Sequence, residues 1–415
     1  MEPLTKKQGM MKKLFVICSW ALLLGGWQIE DGSGNPVEAT GDEQVELFRS
    51  VKAGNGRVEI ALTDGGTLSA AQVNDLSVAG TANCYVVSAP GTYVFNARVR
   101  GNGAGEGVGF EPAIEMADGM TADWLWTDSE GLVSGVALDT TSGDIFLTVG
   151  EGRGNALVAL MQDGKVVWSW HVWVTDAPQT MTYGNGTVFM DRNLGAAGTT
   201  AGGTDAYGMY YQWGRKDPFY GGEKTETSAN AFLEAKNGTA VNPAYPALDW
   251  AFSKSATTTD GAAANPMTFY NDKVGTGYNW LASPNATLWG EAKTLNDPCP
   301  PGYRVPETGA WEDLISGRQY IDGVSVWDGT NYGMTYTHGG QTAWYPAQGY
   351  RNYSSGAIVG LRSSTGGSGA YWSAETSSVK SYYLFFRSKL SSSGSINNEL
   401  DMNRSYGYTV RCCKE

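Results

Sequence analysis

Cysteine is the residue type whose placement implies chemistry most directly in this 415-residue chain. Five occur: Cys18, Cys84, Cys299, Cys412 and Cys413. Cys299 opens the run Cys299-Pro-Pro-Gly-Tyr-Arg-Val-Pro306, and the last two close Gly407-Tyr-Thr-Val-Arg-Cys-Cys413. Behind a secretion leader, two such segments predict a disulfide closing a loop of over a hundred residues. Neighbouring side chains in a strand point to opposite faces, so only one of Cys412 and Cys413 can meet Cys299. Residue type alone leaves both open. Cys84 reads as a small hydrophobe in a strand.

Other reactive groups are sparse. The two histidines, His171 in a strand and His338 in a loop, have no ligands beside them at metal spacing. There is no Gly-x-Ser-x-Gly, His-Glu-x-x-His or phosphate loop, and Gly101-Asn-Gly-Ala-Gly-Glu-Gly-Val-Gly109 lacks a surrounding strand–helix unit. No catalytic residue, metal or cofactor is therefore assigned. Asp322, Asp328, Asn331, Glu399 and Asp401 could bind a cation but lack calcium-loop spacing, and read as solvated acids. Aromatic residues offer more. Trp280, Trp289, Trp327, Trp344, Tyr345, Tyr350, Tyr371 and Trp372 lie in or beside loops with Asn, Asp and Gly. Rings stack on the apolar faces of sugars while nearby amides and carboxylates take the hydroxyls, so glycan contact is one reading of this set. The competing reading is that a small sheet with long loops uses them to fill its core.

The elements that must position these residues begin after a leader. Lys12-Lys13 precede an apolar stretch at 14–24, the pattern of a signal peptide over residues 1–27. That stretch is shorter than the roughly 20 apolar residues a membrane span needs. Leu24-Gly25-Gly26-Trp27 has the form of a bacterial lipobox with tryptophan in the place of the acylated cysteine, so no lipid anchor is expected. The formal net charge is −13, and the leader carries four lysines against one glutamate, so its removal leaves a more acidic chain. Such a chain repels phosphate backbones, which argues against a nucleic-acid partner.

The length predicts two or three domains, and 56 glycines with 15 tryptophans point to a loop-rich, mostly β protein. After an acidic linker at 28–44, residues 45–176 alternate short apolar runs with Gly, Asn or Pro breaks, as in an antiparallel sandwich. A strand is expected at Val58-Glu-Ile-Ala-Leu62. Cys84-Tyr-Val-Val87 and Tyr93-Val-Phe95 flank Ala89-Pro90-Gly91, which reads as a hairpin turn. Lys165-Val-Val-Trp-Ser-Trp-His-Val-Trp-Val174 is the clearest strand. Its alternation places Val166, Trp168, Trp170, Val172 and Val174 on a core face and leaves Trp173 on a second face to meet the next domain. Beyond residue 180, helices are expected at 307–316, with Trp311, Leu314 and Ile315 on one side, and at 229–235.

Six motifs now stand in order: Val188-Phe-Met-Asp-Arg-Asn-Leu-Gly195, Tyr207-Gly-Met-Tyr-Tyr-Gln-Trp-Gly-Arg215, Cys299-Pro-Pro-Gly-Tyr-Arg-Val-Pro306, Trp311-Glu-Asp-Leu314, Tyr371-Trp-Ser373 and Val410-Arg-Cys412. Over residues 180–415 this series resembles the Fibrobacter succinogenes major paralogous domain family of secreted Bacteroidetes-type proteins. The resemblance implies a C-type-lectin-like α+β fold whose two ends pair as strands. Its Val-Arg-Cys motif implies Cys412 as the partner of Cys299. The calcium-binding sugar motifs of true C-type lectins do not occur here, nor does the active-site cysteine pair of formylglycine-generating relatives. Residues 82–93 and 168–173 are similar to Ig-like regions of multi-domain surface proteins from the same bacteria, some grouped with fimbrillin-type adhesins.

The expectation is thus an exported cell-surface or extracellular protein, an Ig-like β-sandwich followed by a C-type-lectin-like α+β domain. Its expected role is recognition or adhesion, with glycans or surface proteins as partners and no membrane span. The alternative is a structural subunit of a fimbria or surface assembly, and an enzyme is the third class.

Overall fold

The run Lys165–Val174 forms a single strand and organises the first half of the protein. It pairs antiparallel with Gly154–Gln162 on one side and parallel with Cys84–Val87 on the other. Met120–Thr127 and the short strand Ala240–Val241 complete this five-stranded sheet. A four-stranded sheet runs in the order Val73–Asp75, Gly91–Asn96, Asp144–Val149, Val133–Asp139. Trp168, Trp170, Val172 and Val174 share one buried cluster with Phe95, Ile145 and Leu147 of the second sheet, so the two sheets enclose a common core. The computed structural model describes residues 51–54, 57–60, 73–102, 113–221, 239–361, 367–388 and 396–415. The leader, the linker at 28–44, the expected helix at 229–235 and most of the glycine-rich loop at 101–109 lie outside these residues.

Two local expectations differ from the structure. Ala89-Pro90-Gly91 does not close a hairpin, because Cys84–Val87 and Gly91–Asn96 belong to opposite sheets. The tripeptide is a corner that carries the chain from one layer to the other, held by Tyr93 Oη donating to the Ala89 carbonyl at 2.6 Å. Proline and glycine favour any sharp reversal, and what decides the pairing is where the following apolar residues find a partner. Val166 also leaves the predicted face. The ladder slips between Val166 and Trp168, a bulge that turns Val166 into the cluster on the far side of the sheet. Strand Arg57–Ile60 overlaps the expected strand at 58–62 and pairs with Val51–Gly54.

The second half is also mostly β, in small sheets. Thr180–Thr182, Val188–Met190, Cys413–Lys414 and Tyr303–Arg304 make one four-stranded sheet, with the C-terminal strand inserted between the others. Ser368–Ser377, Lys380–Arg387 and Ile396–Asn403 form a second sheet, and Ser325–Asp328, Gly333–His338 and Gln341–Pro346 a third. The helix expected at 307–316 is a 3-10 segment, Thr308–Leu314, which buries Ala310, Trp311 and Leu314. Ile315 has already turned into a strand. Glycine at 309, no side-chain N-cap bond and no acid in the first turn leave little to propagate an α-helix there. The α-helix among the described residues is Thr259–Ala264, capped by Thr258 Oγ1 accepting from Gly261 N at 3.0 Å.

The halves share a core. The face of the five-stranded sheet that carries Cys84, Leu125, Trp126 and Trp173 packs with Tyr211, Trp213, Trp250, Trp280 and Trp372 of the second half. Trp173 Nε1 donates to the Ala196 carbonyl at 2.9 Å. The second face of Lys165–Val174 therefore does meet the following segment. Ala240–Val241 adds its own backbone bonds, pairing with Thr127 and Trp126.

Candidate functional site

The cysteines form the clasp. Cys299 and Cys412 are disulfide-bonded, with Cα atoms 6.0 Å apart and a separation of 113 positions in sequence. Cys412 and Cys413 face different clusters, as strand alternation requires, and Cys413 pairs across the sheet with Phe189 and Arg304. Cys84 and Cys413 are free and buried. Burial pushes both thiols up, Cys413 to about 12, so neither presents a thiolate at neutral pH.

The aromatic residues nominated from sequence do not share one surface. Trp280, Trp289, Trp344, Tyr345, Tyr371 and Trp372 are buried, at most 8% exposed, and Trp327 and Tyr350 are half-buried. Three of the indoles face inward and donate to main-chain carbonyls: Trp280 Nε1 to Trp213 (2.7 Å), Trp289 Nε1 to Asn296 (2.9 Å) and Trp372 Nε1 to Tyr211 (2.8 Å). Tyr345 and Tyr371 close on a buried guanidinium, Arg411, which lies 3.8 Å from the centre of the Tyr345 ring. Trp327 packs beside Phe386, with ring centres 6.4 Å apart. In this half the sheets are small and many carbonyls lack a ladder partner, so indole N–H groups satisfy them from within.

Tyr350 sits elsewhere, in an aromatic ladder that leaves the core. The ladder begins at buried Trp372 and Tyr408, 4.3 Å apart, and continues to Tyr350 (5.5 Å from Tyr408) and Tyr406 (5.8 Å from Tyr350). Tyr353 lies 4.9 Å from Tyr406, and Tyr278 4.6 Å from Tyr353. Tyr278, Tyr350, Tyr353 and Tyr406 are all half-buried and form a shelf. Three separate segments build it. Strand Tyr350–Arg351 pairs with Ile358–Val359 and, through Arg351, with Gly407–Tyr408. Gly349 precedes it at φ +70°, where a Cβ would stand 2.3 Å from the Val359 carbonyl oxygen, so glycine is required. Tyr353 rides on the turn between the first two strands, whose Asn352 Oδ1 accepts from Ser354 N at 2.9 Å. Tyr278 comes from the hairpin Asp272–Val274 and Gly277–Asn279, tied across by Tyr278 N donating to Asn403 Oδ1 at 3.1 Å.

The four shelf hydroxyls make no hydrogen bond to another described residue. Burial pushes the Tyr406 phenol up to about 12, and raises Tyr350 as well, so both remain neutral donors at physiological pH. The sequence reading named Tyr350 and missed Tyr278, Tyr353 and Tyr406. Each of these three does stand beside Asn, Ser or Gly, the same local signal as Tyr350.

Two buried groups of titratable residues are held in internal networks. His171 Nε2 meets Asn155 Oδ1 at 2.8 Å, and the Asn155 amide donates to Asp128 Oδ2 at 2.7 Å and to the Gly195 carbonyl at 2.9 Å. Burial lowers His171 to about 3 and raises Asp128 to about 6. Lys216, also buried, donates to Ser169 Oγ at 2.6 Å and to Asp217 Oδ1 at 2.5 Å, which ties the sandwich to the second half. These networks are internal and satisfied, the arrangement of structural polar cores. Among the described residues no group of three or more His, Cys, Asp or Glu is placed to hold a metal ion, and no helix is long and apolar enough to cross a membrane. Comparison with protein-family models, with curated proteins and with solved structures finds no match for this chain.

Proposed function

We propose that this is an exported surface protein that acts by recognition and adhesion, with an Ig-like sandwich as its base and a C-type-lectin-like head. The head contacts neutral glycans through the shelf of Tyr278, Tyr350, Tyr353 and Tyr406. The observation that carries this reading is four half-buried tyrosines in ring contact, supplied by three segments, with hydroxyls that no other described residue engages. Such a surface offers π contact to sugar C–H groups and uncharged hydroxyls to sugar oxygens. The disulfide clasp supports an oxidising compartment, where bonds of this kind form and persist. The buried state of the other nominated aromatics moves the candidate contact from the loops around Trp280 and Trp344 to the rim around Tyr406.

A glycan array tests the proposal. The protein should bind at least one class of neutral oligosaccharide, Tyr353→Ala and Tyr406→Ala should each abolish the signal, and chelators should leave it unchanged. Binding that survives both substitutions would overturn the assignment of the shelf. Failure to bind any saccharide would favour the structural-subunit role instead.

A further inference from the structure

A chain of buried hydrogen bonds runs from the sandwich to the disulfide. Trp168 Nε1 donates to Asn83 Oδ1 at 3.1 Å. The Asn83 amide donates in turn to the carbonyls of Leu295 (2.7 Å) and Asp297 (2.9 Å). The Asp297 carboxylate, fully buried, accepts from Cys299 N at 2.8 Å and Val305 N at 2.9 Å. The Lys293 ammonium sits inside the same loop, donating to the carbonyls of Cys299 (2.7 Å), Pro300 (3.2 Å) and Tyr303, with Asp297 Oδ1 at 3.3 Å. Both peptide groups of Cys299 are therefore held, its N–H by Asp297 and its C=O by Lys293.

This grip bears on a choice the chain must make. Cys412 and Cys413 are adjacent, so closing a loop from Cys299 to either costs the same chain entropy. Cys84 is a third competitor, buried in the same cluster as Cys299 and Cys412. Strand alternation sets Cys412 and Cys413 on opposite faces, so which of them is met depends on where the Cys299 sulfur is held. We propose that Asn83, Lys293 and Asp297 are positioning residues for oxidation, through which the docked sandwich presents Cys299 to Cys412. The step is ordinary thiol–disulfide exchange. The Cys299 thiolate attacks the disulfide of an oxidoreductase or of oxidised glutathione, forming a mixed disulfide and releasing one thiol. The Cys412 thiolate then attacks Cys299 Sγ, and the second thiol leaves. Two protein thiols are oxidised, one oxidant disulfide is reduced, and two protons pass to the departing thiols. Once the protein is folded, Cys84 and Cys413 stay protonated in the core and cannot reopen the bond.

The test is refolding of the reduced, denatured full chain in a glutathione redox buffer. Aliquots are acid-quenched, free thiols alkylated and bridges mapped by peptide mass spectrometry. The unaltered chain should give the Cys299–Cys412 bridge. Asn83→Ala and Lys293→Met should each raise the fraction of Cys299 bridged to Cys413 or Cys84 by about tenfold, the scale expected when a buried hydrogen-bonded contact is lost. Leu147→Ala, which opens a cavity in the sandwich core and removes none of these hydrogen bonds, controls for lost stability alone. It should slow folding without changing the pairing. Mapping covers every quenched chain, so a variant that never reaches the native state still reports. Correct pairing in both positioning variants, or equal scrambling in Leu147→Ala, would overturn the proposal.

Discussion

Replacing Trp280 by alanine separates a core role from a surface role. Trp280 is 2% exposed, stands in the cluster shared by both halves, and donates its Nε1 to the Trp213 carbonyl at 2.7 Å. The Arg215 guanidinium lies 5.7 Å from its ring centre. Large-to-small substitution of a buried tryptophan costs about 3–5 kcal/mol, and the orphaned carbonyl adds about 1 kcal/mol. The sum is on the order of 5 kcal/mol, which lowers the melting temperature by on the order of 10 °C. Tyr406→Ala, at a half-buried shelf position, should cost only about 1–2 kcal/mol. The assay is urea unfolding followed by near-ultraviolet circular dichroism, both variants beside the parent. If Trp280→Ala lies within about 1 kcal/mol of the parent, the residue does not fill the core and the placement of the binding surface falls with it.

Three further outcomes follow from the same contacts. Replacing both Cys299 and Cys412 by serine should cost about 5 kcal/mol by the chain-entropy estimate for a loop of this length, read from the urea midpoint under non-reducing conditions. Arg411→Lys should cost about 3–5 kcal/mol. The guanidinium is buried over Tyr345 and reaches Asn193 Oδ1 with both Nε (3.1 Å) and Nη2 (2.8 Å), a fork an ammonium cannot reproduce. The third outcome concerns pH. His171 is neutral in the fold down to about 3 but protonates on unfolding below about 6.5, so its contribution to stability falls as pH drops across that window. Asp128, raised to about 6, keeps in the fold a proton the unfolded chain has lost, so its contribution falls as pH rises from about 4 to 6. Each slope reaches about 1.4 kcal/mol per pH unit, and between pH 4 and 6 the two oppose. Asp128→Asn should therefore expose a loss of stability on acidification, and His171→Gln the reverse slope, both measured as urea midpoints from pH 4 to 6.5.

What was legible in the sequence depended on how local the cause was. The strand Lys165–Val174 was readable because ten residues alternate under one rule. Its bulge at Val167 was not, because it is set by register with Gly154–Gln162. The corner at Ala89-Pro90-Gly91 carries the residues of a hairpin, but its two flanking strands pair with Lys165–Val174 and Asp144–Val149 and not with each other. The Cys299–Cys412 bond came from a motif resemblance together with strand alternation. The aromatic set was ambiguous for a physical reason. A tryptophan among Asn and Gly can face solvent, or can turn inward and satisfy a carbonyl that a small sheet leaves open, and Trp280, Trp289 and Trp372 do the latter. The buried arginines went unread for a related reason. Arg215, Arg351 and Arg404 donate to main-chain carbonyls of distant loops, as Arg404 does to Asn285 (2.9 Å) and Ser378 (3.0 Å), and no local pattern announces that.

The proposed recognition surface consists of Tyr278, Tyr350, Tyr353 and Tyr406. Tyrosine-selective isotope labelling, with ring signals assigned by single Tyr→Phe changes, tests it most directly during titration with the oligosaccharide that binds best on an array. Saturable shifts should be confined to these four rings and their neighbour Tyr408, with the core rings of Tyr345 and Tyr371 unmoved. Saturable binding that leaves the four shelf signals in place would contradict it.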